Sequence, residues 1–213
     1  MKKLIILFFL ICVKSAFAQV NPDSVDLRSN SYSVTFEDNT QAIYKAQIAK
    51  KWFSLNFQNY RDILISEDVR SGKIVMKPSV LYKADTYSKC YMTAVVTFEC
   101  DNNQYTIKFD DVRKQATFST IGNLETADTV YQQCVFTTES EIIKYHRYQE
   151  LKTKPNPTAD ETKDLRLYAY FDKYNEESLR KENMQYYTDL QNIVAEIINK
   201  LKMTLDEQHK SNS

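Results

Sequence analysis

The sequence predicts an α+β fold. An antiparallel sheet, built as a strand-helix-four-strand meander, carries helices against its apolar face, and a helical region follows at the C-terminal end. Three observations predict it. Residues 89–112, KCYMTAVVTFECDNNQYTIKFDDV, alternate apolar and polar side chains through two runs joined by a polar turn, as a long β-hairpin with one apolar face does. Residues 41–59 change to a helical period, and residues 176–208 carry apolar side chains at three- and four-residue spacing.

The chain opens on an export signal. Lys2 and Lys3 form a basic start, residues 4–13 an apolar run, and Ala16-Phe17-Ala18 a small-x-small cleavage site. The run is shorter than the ~20 residues a spanning helix needs, so cleavage after Ala18 is expected, leaving Gln19 as the mature N-terminus. Cys12 follows Ile11, where lipid attachment calls for a small residue, and lipidation is not expected. The predicted divisions are a signal peptide over 1–18, an α+β domain over 19–136 and a helical extension over 137–213. The predicted location is periplasmic or extracellular, with no membrane span.

Charge and composition exclude several chemistries. The chain has 28 basic and 28 acidic residues, and removing Lys2, Lys3 and Lys14 leaves 25 basic residues. A mildly acidic chain lacks the basic surface that broad nucleic-acid binding requires. Gly72 and Gly122 are its 2 glycines, too few and too far apart for a phosphate-cradling loop or a dinucleotide fingerprint. Cys90, Cys100 and Cys134 remain after processing. Cys90 and Cys100 lie roughly 33 Å apart on a straight strand, beyond disulfide reach. A bridge would use Cys134 with one of them; the alternative is three small buried hydrophobes.

In chain order, residues 21–30 are a polar lead-in. Residues 31–37, SYSVTFE, alternate as a first strand with Tyr32, Val34 and Phe36 on one side. Asp38, Asn39 and Thr40 offer cap chemistry to a helix whose stripe is Tyr44, Ile48, Trp52 and Leu55, with Lys45, Lys50 and Lys51 away from it. Trp52 and Phe53 are adjacent, so one is expected inward and the other at the margin. Strands over 62–67 and 73–77 flank a loop ended by Gly72, which suits a positive φ. Pro78 ends the second of them, and residues 79–88 read as a polar connection. In the hairpin, Cys100 facing Tyr105, Phe98 facing Ile107 and Val96 facing Phe109 is the register that gathers every apolar side chain on one face.

Residues 31–112 resemble a bacterial family of exported proteins, a domain of unknown function with a TATA-binding-protein-like fold. Three features carry the resemblance: the helix ending in Lys50-Lys51-Trp52-Phe53 with Phe57 after it, Glu67-Asp68 leading to Ser71-Gly72-Lys73-Ile74, and the paired strands of the hairpin. The resemblance implies a curved antiparallel sheet with helices on one face. It assigns no catalytic residues, and its fold name does not imply DNA binding.

Beyond Arg113, residues 116–121 and 129–137 read as strands and 137–154 as a helix. Pro155-Asn156-Pro157 is a break, and Thr158 or Asp160 starts another helix. The last helix carries Tyr187, Leu190, Val194, Ile197, Leu201 and Leu205 on one stripe, widened by Ile193 and Ile198. That stripe covers the hairpin's apolar face or zips against another chain, giving a homo-oligomer.

No set of residues has catalytic spacing. His146 and His209 lack a second ligand at metal spacing, and no serine sits in G-x-S-x-G. Asp110 and Asp111 point to opposite faces of a strand, and Glu176-Glu177 fits the first turn of a helix. Asp101-Asn102-Asn103 reads as a turn, without the glycine of a calcium loop. Tyrosines 145, 148, 168, 170, 174, 186 and 187 form either a sugar- or peptide-contacting surface or amphipathic margins of helices. The reading is a non-enzymatic protein- or peptide-binding module of the cell envelope with no cofactor and no metal; a self-associating component and a hydrolase are the alternatives. The candidate partner surface is the hairpin's polar face: Tyr91, Thr93, Val95, Thr97, Glu99, Thr106 and Lys108.

Overall fold

In a computed structural model, residues 19–84, 88–118, 129–132 and 138–211 are described. The expected export signal, Gly122 and Cys134 lie outside them. The hairpin of β5 (Ser88–Cys100) and β6 (Gln104–Phe118) has the register its alternation demands. Cys100 faces Tyr105, Phe98 faces Ile107 and Val96 faces Phe109, while Glu99 faces Thr106 and Thr97 faces Lys108. Asp101-Asn102-Asn103 is the turn: Asp101 Oδ1 accepts the backbone N–H of Asn103 at 2.7 Å and of Gln104 at 2.9 Å.

The second strand runs on past Val112. The apolar phase slips by one residue after Phe109, and a β-bulge absorbs the slip by setting Asp111 and Val112 against the single residue Ala94. Asp111 takes φ 52° there, a conformation that aspartate tolerates better than most residues. Val112 therefore points inward and is buried. The run expected as a new strand from Ala116 is the far end of β6, to which β7 (Thr129–Gln132) pairs.

The remaining strands are β1 (Ser31–Glu37), β2 (Leu64–Asp68), β3 (Lys73–Met76) and β4 (Ser79–Ala84). The sheet has seven strands in the order β1-β6-β5-β3-β2, with β4 also on β5 and β7 also on β6; every pairing is antiparallel. The polar connection expected from residue 79 is thus a strand. Met76 faces Val96 and Ser79 faces Thr93, so β3 and β4 follow one another along the same side of β5. Pro78, between them, supplies no N–H but does not turn the chain away, because its fixed φ is compatible with extended backbone.

The first helix, α1 (Ala42–Asn56), buries a different stripe from the one expected. Tyr44 is 54% and Leu55 75% exposed, whereas Lys45, Ala46, Ala49, Trp52 and Phe53 are buried. A helix face wider than 100° holds two neighbouring residues, so Trp52 and Phe53 both pack inward, with ring centroids 5.4 Å apart. Ala46 and Ala49, invisible to a count of large side chains, form the middle of that face. Lys45 is fully buried, against expectation: its stem lies in the core and Nζ donates to the Asp38 carbonyl at 2.5 Å. The helix cap also differs. Gln41 is the N-cap with no side-chain bond, Asp38 Oδ1 accepts the Thr40 N–H at 2.8 Å, and Asn102 in the hairpin turn accepts the Ala42 N–H at 2.9 Å. A one-turn helix, α2 (Tyr60–Ile63), then holds the residues expected to begin β2.

The C-terminal helices are α3 (Thr138–Thr153), α4 (Ala159–Leu167) and α5 (Glu176–Ser211). Thr158 caps α4 in a reciprocal box with Glu161. The long α5 joins two cores. Leu190, Val194, Ala195, Ile197, Ile198, Leu201 and Leu205 pack with α1 on the sheet's apolar face. Its first turns, through Leu179, close a smaller core with Ile142, Tyr148 and Phe171. The helical extension expected from residue 137 therefore supplies part of the sheet's own core.

The lead-in is not a purely polar tail. Val25 and Leu27 are buried, and residues 20–27 are strapped along α5. Asn199 accepts the Val20 N–H at 2.7 Å and donates to the Val20 carbonyl at 2.9 Å; Gln191 donates to the Val25 carbonyl at 2.6 Å. Replacing Asn199 by Ala leaves both Val20 groups without these partners. It is expected to destabilise the protein by about 1–2 kcal/mol and to speed proteolysis near residue 20, both readable by thermal unfolding and timed digestion.

Candidate binding surface

The side of the sheet away from α1 and α5 carries all seven residues predicted as a partner surface. Alternation alone places them there: on β5, Met92, Ala94, Val96 and Phe98 are buried, while Tyr91, Thr93, Val95 and Thr97 are half-buried and Glu99 is exposed. On β6, Tyr105, Ile107 and Phe109 are buried, Thr106 is half-buried and Lys108 exposed. Pairing brings in residues that the hairpin alone does not show. Thr35 faces Thr106 and Ser33 faces Lys108 from β1; Lys73 faces Glu99 and Val75 faces Thr97 from β3; Leu81 faces Tyr91 from β4. The alternation of SYSVTFE marked Ser33 and Thr35 as its polar side, but only the strand order assigns these residues their neighbours.

This face is electrostatically self-satisfied. Lys73 pairs with Glu99 across strands, Lys108 with Asp110 at 2.8 Å, and Arg113 with Asp111 at 2.6 Å. Ser31 Oγ donates to Asp110 at 2.8 Å, and the hydroxyls of Thr35 and Thr106 share a hydrogen bond of 2.8 Å. Within this polar frame lies an apolar centre: Tyr91 beside Leu81, which is 49% exposed, and Val95 diagonal to Val75. None of these four belongs to the buried core clusters. An apolar centre with a polar rim is how protein-recognition surfaces are built.

The other candidate residues are held by structure. Asp110 precedes the bulge and Asp111 lies within it, and they have separate partners, Lys108 and Arg113. His146 Nε2 lies 3.2 Å from Glu176 Oε2, and Glu176 also accepts from Arg180 in the first turn of α5. The rings of Tyr145, Tyr148 and Tyr168 surround Phe171 with centroids 5.8–6.1 Å away, and Tyr187 OH accepts the Leu27 N–H at 3.2 Å. Tyr186 donates to Glu182 on α5 and stacks under Lys114 Nζ at 3.3 Å. Burial pushes the Glu182 carboxyl up, but hydrogen bonds from Tyr174 and Tyr186 hold it below its ordinary value. The tyrosines therefore serve packing and helix fastening. The side chains of Tyr170 and His209 lie outside the described ones. Among the described residues, no group of three or more His, Cys, Asp and Glu is placed to hold a metal ion, and no helix is long and apolar enough to cross a membrane.

Cys90 and Cys100 are free thiols. Burial pushes Cys100 up to about 11, and its Sγ lies 3.3 Å from the Ala42 carbonyl. The thiolate is the reactive form, so Cys100 is expected to resist iodoacetamide at pH 8 in the folded protein and to react after denaturation, as peptide mass spectrometry would read.

No family model matches the chain, and no curated relative matches it. Solved structures similar to it include a TBP-like protein from Parabacteroides distasonis, at 18% identity and a TM-score of 0.36 over 47% of this chain and 64% of that one. The chain thus spans less than two thirds of that protein's length. A DUF4468 family protein from Bacteroides ovatus is similar at 14% identity and a TM-score of 0.38, over 84% of this chain and 90% of that one.

Proposed function

We propose that the protein is an exported, non-enzymatic module of the cell envelope that binds a protein partner on the open face of its sheet. The apolar centre of Tyr91, Leu81, Val75 and Val95 inside a rim of paired charges carries this reading. A face whose charges already neutralise one another suits a flat, polar, uncharged protein surface better than an acidic or basic ligand. The basic start, apolar run and Ala16-Phe17-Ala18 site support export.

A photo-crosslinking residue at Thr97 or Thr106 in the native envelope tests the proposal. Both positions are expected to capture the same partner, a control at the exposed Leu55 on the opposite side none, and Thr93→Arg should abolish capture while thermal stability is retained. Capture that ignores Thr93→Arg, or that is as strong from Leu55, removes this face from consideration. Catalysis of envelope-substrate hydrolysis by the purified protein would favour the enzymatic alternative.

A further inference from the structure

The sheet has edges, and they are not alike. An exposed strand edge is a template for pairing with another chain, and soluble proteins blunt such edges with bulges, prolines, basic side chains or short length. The edge strand β2 has a register shift between Leu64 and Ser66, and its Glu67 is tied to Lys50. β4 follows Pro78, contains Lys83 and has a shift between Leu81 and Lys83. β7 has 4 residues. By contrast β1 has 7 residues in unbroken register with β6, and Ser31-Tyr32-Ser33-Val34-Thr35-Phe36-Glu37 contains no proline, no basic residue and no bulge.

The direction of its backbone groups follows from the ladder. Antiparallel pairs alternate between those that exchange hydrogen bonds and those that do not. Asp38 N–H donates to the Asn103 carbonyl at 2.8 Å, and the Asn30 carbonyl accepts from Val112 N–H at 3.3 Å. Counting by twos between these ends, Tyr32, Val34 and Phe36 bond to β6. Ser31, Ser33, Thr35 and Glu37 turn their N–H and C=O groups to the open side. Among the described residues, the one hydrogen bond made by these outward groups is local, from Ser29 Oγ to the Ser31 carbonyl at 3.1 Å.

We propose that this edge pairs antiparallel with the β1 edge of a second copy of the chain, with the twofold axis at Val34. The register is self-complementary. Ser33 meets Thr35 and Ser31 meets Glu37 as hydrogen-bonded pairs, using the outward backbone groups. Tyr32 meets Phe36 and Val34 meets Val34 on the core side, so apolar side chains face apolar ones. Glu37, the one charged residue of β1, lies at opposite ends in the two copies and never faces itself. The two sheets become one continuous sheet, and an edge-only contact of this size makes a weak, exchanging dimer.

The experiment is light scattering on the purified protein from micromolar to millimolar concentration, with variants. The expected result is a monomer–dimer equilibrium. Ser33→Pro removes only an outward N–H, a position a strand edge tolerates; it is expected to weaken the dimer at least about tenfold while leaving the thermal midpoint nearly unchanged. Val34→Cys is expected to link to its own copy under oxidation, since directly opposed residues in a non-hydrogen-bonded pair have Cα atoms about 4.5 Å apart, within disulfide range. Ser33→Cys, which faces Thr35, is not expected to link. A monomer throughout, a dimer indifferent to Ser33→Pro, or a monomer whose β1 edge captures a different protein each overturns the proposal.

Discussion

A chain ended after Lys154 is expected not to fold. It keeps every strand of the described sheet but loses Leu190, Val194, Ile197, Ile198, Leu201 and Leu205, all buried against the sheet's apolar face. Burying each such side chain is worth about 1.5–3 kcal/mol. Their sum is on the order of 10 kcal/mol, comparable to the whole stability of a domain of this kind at about 5–15 kcal/mol. Uncovering Met92, Ala94, Val96 and Phe98 adds to the loss. The truncated chain should show no cooperative thermal transition and poor dispersion of its amide resonances. A cooperative transition in the truncated chain would show that the sheet and α1 suffice alone, and that the role assigned to α5 is wrong.

Replacing Gly72 by Ala is expected to cost about 3 kcal/mol or more. Two causes act together. Gly72 has φ +76°, which a side chain rarely adopts, and a Cβ built there would stand 2.3 Å from the Cys100 carbonyl oxygen and 2.9 Å from Cys100 Sγ. The neighbour in the way is backbone, held by the Cys100 N–H donating to the Gly72 carbonyl at 2.9 Å, so it cannot swing aside as a flexible side chain would. Asparagine tolerates positive φ better than alanine does, yet its Cβ meets the same carbonyl. Gly72→Asn is therefore expected to be nearly as damaging as Gly72→Ala. A mild Asn variant beside a severe Ala variant would assign the effect to φ alone. Urea unfolding of the three proteins makes the comparison.

Gly72 also shows how much of the molecule was readable from residues alone. A lone glycine at the end of a polar loop before a strand announced a positive φ. That the glycine is pressed against Cys100, far along the chain, could not be seen, because the contact exists only once β3 lies on β5. The candidate surface divides in the same way. Its hairpin residues follow from a two-residue period, while Ser33, Thr35, Val75 and Leu81 needed the order of the strands. Lys45 was misplaced because a search for apolar stripes treats lysine as a surface residue. Its burial is met by Asp38 at the end of its stem, whose carbonyl accepts from Nζ at 2.5 Å and whose carboxylate lies 3.9 Å away. The cap of α1 was sought among Asp38, Asn39 and Thr40, and comes from Asn102.

The sequence by itself determined the hairpin and its register, the existence of α1 and α5 and the long apolar stripe of α5. Each is written in side-chain periods over a dozen or so neighbouring residues, and a one-residue slip would turn a whole apolar set toward water. The tertiary structure alone decided which strand lies beside which, that β3 and β4 share one side of β5 across Pro78, that the segment after Gln19 is bound along α5, and that β1 has no strand on its outer side among the described residues. These depend on contacts between residues far apart in the chain, whose free energies are settled by the packing of the whole core and leave no local pattern to read.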